Sequence, residues 1–317
     1  MARRRPKGVL ELGWAVIESA ATGRAEHVPT DQIYPEDVVR RIAFQAGGGH
    51  GWRISALSTP RAKAPPWKIV VITGAPSWAE YWAPALAALP QDREMIVVDR
   101  PGFAGSEPVE YVGDIRVQAQ ALMPLLETAP NQKLLLVGQS YGAAIAALMA
   151  ANRPARLQGL VLLSGFFGET GPTGRWLVGL GSKLLKWAPR LVPRDLKNAV
   201  REVRDQHTQL DHLHEALARL RVPVHVVHGD ADDFAPIETA EQLVAETRTR
   251  RPMAFRKVEG ANHFFNDGPA EMVLELIEDC LPKPVDWKGL GAATWAVVKA
   301  RLPRFSRARA KPAAATV

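Results

Sequence analysis

Apolar and polar positions along the chain alternate between two patterns. Short unbroken apolar runs recur as "WKIVVITG" (67–74), "REMIVVDRPG" (93–102), "KLLLVGQ" (133–139), "LQGLVLLSG" (157–165), "VPVHVVHGD" (222–230) and "MAFRKVEG" (253–260). Between them lie stretches with apolar residues at helical spacing: 78–89, 115–129, 141–152, 238–248 and 269–281. Apolar runs without polar alternation are expected of strands covered on both faces. The series therefore predicts βαβ units and an α/β fold, a mostly parallel sheet flanked by helices. Ahead of it, "VVRRIAFQAGGGHGWRISALST" predicts two further strands joined across the glycines at 47–49 and 51.

The alternation stops after Gly165. Residues 166–220 carry helical patterns without a strand signal, and then the sheet resumes, which predicts a helical cap inserted after the sixth strand. The expected organisation is an N-terminal extension (1–37), a first core segment (38–165), the cap (166–220), a second core segment (221–282) and a basic C-terminal tail (283–317) with a short helix at 289–302.

A net charge of +7 invites a nucleic-acid reading, but its distribution argues against one. Residues 1–8 carry Arg3, Arg4, Arg5 and Lys7, and residues 283–317 carry eight basic groups against Asp286, so the body between them is at −4. Basic ends suit an anionic membrane surface better than a base-reading site, the plainer reading being a solvated end. Glu11 and Glu18 interrupt the apolar stretch of the N-terminus, which argues against a signal peptide. No run of about 18 uncharged apolar residues occurs. The expected location is the cytoplasm, with peripheral contact to an anionic membrane through the basic tails or the cap. Cys280, the single cysteine, excludes an intramolecular disulfide and lies in an apolar stretch that suits a buried structural thiol.

The candidate chemistry centres on Gly138-Gln139-Ser140-Tyr141-Gly142, where a strand run meets a helical one. A residue making that turn alone is forced to positive φ, and crowding then requires tiny neighbours two positions away on each side. Its hydroxyl would stand near a helix N-terminus, which favours developing negative charge. A serine needs a base, and the base an orienting group. "HGDADDFAP" (228–236) offers Asp230, Asp232 and Asp233, and "GANHFF" (260–265) offers His263, each following a predicted strand. His228 reads as structural, as does Asp99 in the "DRPG" turn. His207, His212 and His214 do not share one helical face, so no metal site is expected.

With "VDRPGFAGS" (98–106), these motifs resemble the α/β-hydrolase superfamily over residues 38–282, as a serine esterase- or lipase-like member. The resemblance implies that Asp232 is the acid, with Asp233 the runner-up and Asp230 a turn cap. It also implies backbone oxyanion donors at Ala75 and Tyr141. The family usually has His-Gly where this chain has Thr73-Gly74-Ala75-Pro76, which changes the packing of that loop but not a backbone donor. Ser140 argues against the superfamily's dehalogenases and epoxide hydrolases, which use an aspartate.

Trp78, Phe166, Phe167, Phe234, Phe264 and Phe265 fall on loops expected around Ser140, and aromatic lining with few charges suits an acyl chain or aromatic group. In the cap, Trp176, Leu180, Leu184, Trp187 and Leu191 form an apolar stripe with Lys183, Lys186 and Arg190 beside it. The stripe reads as a lid over the site, with Trp176 expected to touch substrate, or as a membrane-interface helix. The expected activity is hydrolysis of carboxylic esters of hydrophobic or lipid-like acids through an acyl-enzyme, without cofactor or metal. The same residues would serve thioester, amide or carbon–carbon bond hydrolysis or a perhydrolase reaction. A non-catalytic ligand-binding protein is the rival class, disfavoured by a complete Ser-Asp-His set.

Overall fold

Leu134 and Leu136 face one side of strand β5 (Lys133–Gln139) and Leu135 and Val137 the other, and each set enters a separate core. This two-sided burial is the cause of the unbroken apolar runs. In the computed structural model, residues 34–152, 154–247, 253–265 and 270–282 are described. Residues 1–33, the expected tail and the expected helix at 289–302 lie outside them.

The other strands are β1 (Arg40–Gln45), β2 (Arg53–Ser58), β3 (Trp67–Ile72), β4 (Arg93–Val98), β6 (Leu157–Leu163), β7 (Val224–Gly229) and β8 (Ala254–Val258). They form one eight-stranded sheet in the order β1-β2-β4-β3-β5-β6-β7-β8. The pairings β1–β2 and β2–β4 are antiparallel and the rest parallel. The β1–β2 hairpin turns through Gly48, Gly49 and Gly51, all at positive φ. The chain leaves β3 for β4 on one side and reaches β5 on the other, so the carboxyl ends of β3 and β5 flank the point where strand order reverses, which is where open α/β sheets build their sites.

One face is covered by α2 (Ile115–Leu122), α3 (Gly142–Ala151), α6 (Leu210–Arg219) and α7 (Ile237–Glu246), through residues such as Leu122, Ile145, Leu217 and Leu243. The other carries α1 (Ala83–Ala87) and α8 (Ala270–Cys280), through Leu86, Val273 and Ile277. Cys280 is buried in that second core, and burial pushes its thiol up to about 11, an unreactive value. The edge strand β8 turns Arg256 and Lys257 outward, which discourages pairing with another chain.

Three sequence expectations shift. The helix expected at 78–89 is a 3-10 turn at Ala79–Trp82 followed by the short α1, because Pro84 cannot donate within a helix. The helix expected at 115–129 ends at Leu122 and continues as a 3-10 turn over Met123–Leu126, with Pro124 at the break. The segment 166–220 contains α4 (Pro172–Trp187), α5 (Arg194–Asp205) and α6. Helices α4 and α5 pack on each other, whereas α6 lies against α3, with Leu213, Ala216 and Leu217 in the first core. The layer over the site is therefore built from α4 and α5, and α6 belongs to the sheet-covering layer.

Candidate active site

Ser140 directly follows β5 and sits at φ 53°, in the left-handed region, while Tyr141 is already helical at φ −57°. The Ser140 amide donates to the Leu163 carbonyl (2.9 Å), and the Ala143 amide donates to the Ser140 carbonyl (3.0 Å), so the turn is held on both sides. A Cβ on Gly142 would lie 2.3 Å from the Ile72 carbonyl oxygen, and one on Gly138 would lie 2.6 Å from Ala143 Cα. Helix α3 thus approaches the sheet more closely than any side chain at either position would allow. The strain at Ser140 is imposed by its surroundings.

The loops after β7 and β8 bring the partners. Ser140 Oγ lies 2.9 Å from His263 Nε2, and His263 Nδ1 lies 2.8 Å from Asp232 Oδ2. A carboxylate accepts only, so Nδ1 carries the hydrogen and Nε2 is free to accept the serine proton. Asp232 Oδ1 accepts from the amides of Phe234 (3.0 Å) and Ala235 (2.8 Å). His228 lies behind it, its Nε2 2.7 Å from the Ala235 carbonyl and 3.2 Å from Asp232 Oδ2. Burial acts to raise the Asp232 pKa, but the charge of His263, the hydrogen bonds from His228 and His263 and the Ala235 amide outweigh it, and the carboxyl is held well below the usual range. Asp233 is occupied elsewhere, accepting from Thr173 Oγ1 at 2.6 Å, and Asp230 accepts from the Gly260 amide at 2.6 Å.

Ala75 borders the cavity beside Ser140, and the Tyr141 amide is the first beyond the serine, while the Tyr141 side chain is buried in the core. Thr73 holds the neighbouring loop through its hydroxyl, which donates to the Val98 carbonyl (2.9 Å) and is hydrogen-bonded to Ser77. A fully buried Arg100 does more: Nε donates to the Thr73 carbonyl and Nη2 to the Gly74 carbonyl, both at 2.8 Å. The same guanidinium forks onto Glu202 of α5, at 2.7 Å to each oxygen, and Nη1 donates to Gln118. Asp99 is bound to Arg41 (2.6 Å) and to the Ala79 amide (2.8 Å).

A cavity of about 360 Å³ opens over Ser140 and His263. Trp78, Phe166, Phe234 and Phe264 line it, as expected positions around a serine would, and the last three also surround the His263 ring at centroid distances of 5.4, 5.3 and 5.1 Å. Phe167, Phe265 and Trp176 do not line it, and Phe265 is buried in the second core. Phe167, one residue past Phe166, points to the other side and packs on His228. Trp176 is half exposed, because α4 turns Leu177, Leu180, Gly181 and Leu184 to the cavity instead. Helix α5 contributes Val200 and Val203, and no described lining residue is charged.

Arg100 and Glu202 were missed by motif reasoning, and His228, read as structural, stands behind the acid. Arg100 was hidden inside a turn motif and Glu202 in a charged helix, and only tertiary packing joins them. Helix α5 buries Asp195, Asn198 and Glu202 at one face, an inward polar face that amphipathicity does not signal, since it predicts burial of the apolar face.

Residues 68–201 match a family model described as the alpha/beta hydrolase fold. Among curated proteins, the chain is 25% identical over 236 residues, 64% of its own length and 87% of the relative's, to RutD of Escherichia coli O127:H6 (strain E2348/69 / EPEC), provisionally named a carbamate hydrolase. Among solved structures, a membrane phospholipase A described as a bacterial virulence factor superposes with a TM-score of 0.56 at 19% identity, covering 85% of this chain and 98% of that one. The esterase RhEst1 from Rhodococcus sp. ECU1013 gives a TM-score of 0.53 at 19% identity, covering 74% and 97%.

Proposed function

Since the chain belongs to the α/β-hydrolase superfamily, we propose that it is a serine hydrolase cleaving carboxylic esters of hydrophobic or lipid-like acids through an acyl-enzyme. One observation carries the reading: the hydrogen-bonded series Ser140–His263–Asp232 stands at the floor of a largely apolar cavity that has no Asp, Glu, Lys or Arg among its described lining residues. In this mechanism Ser140 Oγ attacks the ester carbonyl while His263 Nε2 takes its proton. Asp232 fixes the ring and balances the imidazolium, and the amides of Ala75 and Tyr141 receive the oxyanion. His263 returns the proton to the departing alcohol, and water, deprotonated by the same nitrogen, releases the acid.

The provisional name of RutD concerns carbamates, whose carbonyl is open to the same attack. An ester with a bulky apolar acyl group fits better here, because most of the wall, formed by Leu177, Val200, Phe166 and their neighbours, is apolar and a small polar carbamate would leave it uncovered. A fluorophosphonate probe on wild type and Ser140→Ala tests the reading. Labelling of folded wild type that disappears in the variant is expected, together with p-nitrophenyl ester turnover that rises with acyl length. Absence of Ser140-dependent labelling in folded protein would overturn it.

A further inference from the structure

We propose that the outer face of α4 and the turn after it form a docking surface for an anionic lipid bilayer, with the cavity mouth set inside that surface. Trp187 and Leu191 are 83% and 82% exposed, and Trp176, Leu180 and Leu184 between 42% and 49%. At about 100° per residue, Trp176, Leu180, Leu184 and Trp187 share one sector of the helix. Leu180 and Leu184 also line the cavity, so the exposed stripe runs without interruption from solvent into the site.

Charge identifies the occupant. Between Glu169 and Asp195 the chain carries Arg175, Lys183, Lys186, Arg190 and Arg194 and no acidic residue, within a body whose net charge is −4. Arg175, Lys183 and Lys186 are exposed on the side of α4 away from the cavity, bordering the apolar stripe. Apolar residues with aromatic anchors and a cationic border on one face are the features by which a helix lies in the headgroup region of an acidic membrane. A protein partner with an acidic, apolar groove would present similar chemistry, but the continuity of the stripe with the cavity favours a surface that also supplies apolar ligands.

The surface is held firmly. Helix α5 is tied to the loops after β3 and β4: Asp195 accepts from Trp78 Nε1 (2.6 Å) and the Ala104 amide (3.0 Å), Asn198 donates to the Gly102 carbonyl (2.7 Å), and Glu202 pairs with Arg100. Helix α4 packs on α5, with Gly181 against Val200. The docking face is therefore presented on a fixed support.

The test uses full-length protein and vesicles of phosphatidylcholine with or without phosphatidylglycerol, unlabelled or brominated in the acyl chains. Wild type is expected to sediment with the anionic vesicles and to lose tryptophan fluorescence to bromine. Trp187→Ser with Leu191→Ser should lower partitioning about tenfold and remove most of the quenching. Lys183→Ser with Lys186→Ser should lower it about fivefold per cation on anionic vesicles only. Neither Trp187 nor Leu191 touches the cavity, so turnover of a soluble short-chain ester should stay within about twofold. Partitioning and quenching that ignore Trp187→Ser with Leu191→Ser would overturn the proposal. So would loss of a wild-type dimer in that variant without vesicle binding, which would assign the face to a second copy. Vesicle binding is measured without turnover, so its failure is separable from failure of the hydrolase reading.

Discussion

Asp232 gathers two backbone amides and two histidine rings around one buried carboxylate, and this explains why its pKa falls although burial alone would raise it. A depressed folded-state pKa stabilises the fold fully above the ordinary carboxylate value of about 4, and the stabilisation is lost as pH falls through the depressed value. Asp232→Asn should therefore unfold at lower urea than wild type at pH 7, with the gap closing below about pH 4. A gap that widens in acid would refute the assignment. The same substitution should lower turnover by about 10⁴, because an amide can donate to His263 and favour the wrong tautomer. Sequence narrowed the acid to three neighbours, and the resemblance chose Asp232. What separates Asp232 from Asp233 physically is a partner 60 positions away: Thr173 occupies Asp233, leaving Asp232 to face the histidine. His228 carried no such signal, since its contact with the acid exists only once the loop has closed.

At the level of elements, the alternating strands and helices were readable because burial on both faces writes itself into each run. Helix ends were less readable, because Pro84 and Pro124 sit inside apolar periodicity that continues past them. The cap boundary was obscured for a different reason. Periodicity shows that a helix buries a face but not against which layer, so α6 looked like α4 and α5 until its packing on α3 was visible. Helix α5 is the element that joins cap to core, through the buried Arg100–Glu202 pair. Removing either partner alone strands a buried charge, so Arg100→Met and Glu202→Leu should each cost about 3–5 kcal/mol in urea unfolding. The double variant should fall short of their sum by more than about 1 kcal/mol, and additivity within about 0.5 kcal/mol would show the two are not coupled. Arg100 also holds the Thr73 and Gly74 carbonyls, next to the Ala75 amide. The double variant should therefore keep a kcat reduced by about tenfold or more with KM little changed, a split that general destabilisation would not produce.

Over the whole molecule, the charge is arranged against its own average. The net +7 belongs to the ends, while the body between them is at −4 overall although the cap segment 166–220 is itself net positive. Peripheral membrane binding usually takes two signals, an apolar insertion and a basic attraction, since either alone is weak. Here the apolar signal would come from α4 and the turn after it, and the attraction from two sources, the cap cations and the terminal segments. Residues 283–317 carry a net +7, so deleting them leaves the remaining chain neutral overall while the cap keeps its local positive field. The truncated protein should therefore bind phosphatidylglycerol vesicles more weakly, with a shallower dependence on salt. Quenching of Trp187 by brominated chains, measured per bound molecule, should persist, because insertion depends on the exposed tryptophan and leucine and not on long-range attraction. Turnover of a soluble ester should be unchanged, since no described cavity residue lies beyond Phe264. If deletion abolished the quenching of bound protein while the cap was intact, the tail would be the anchor and the cap face a bystander.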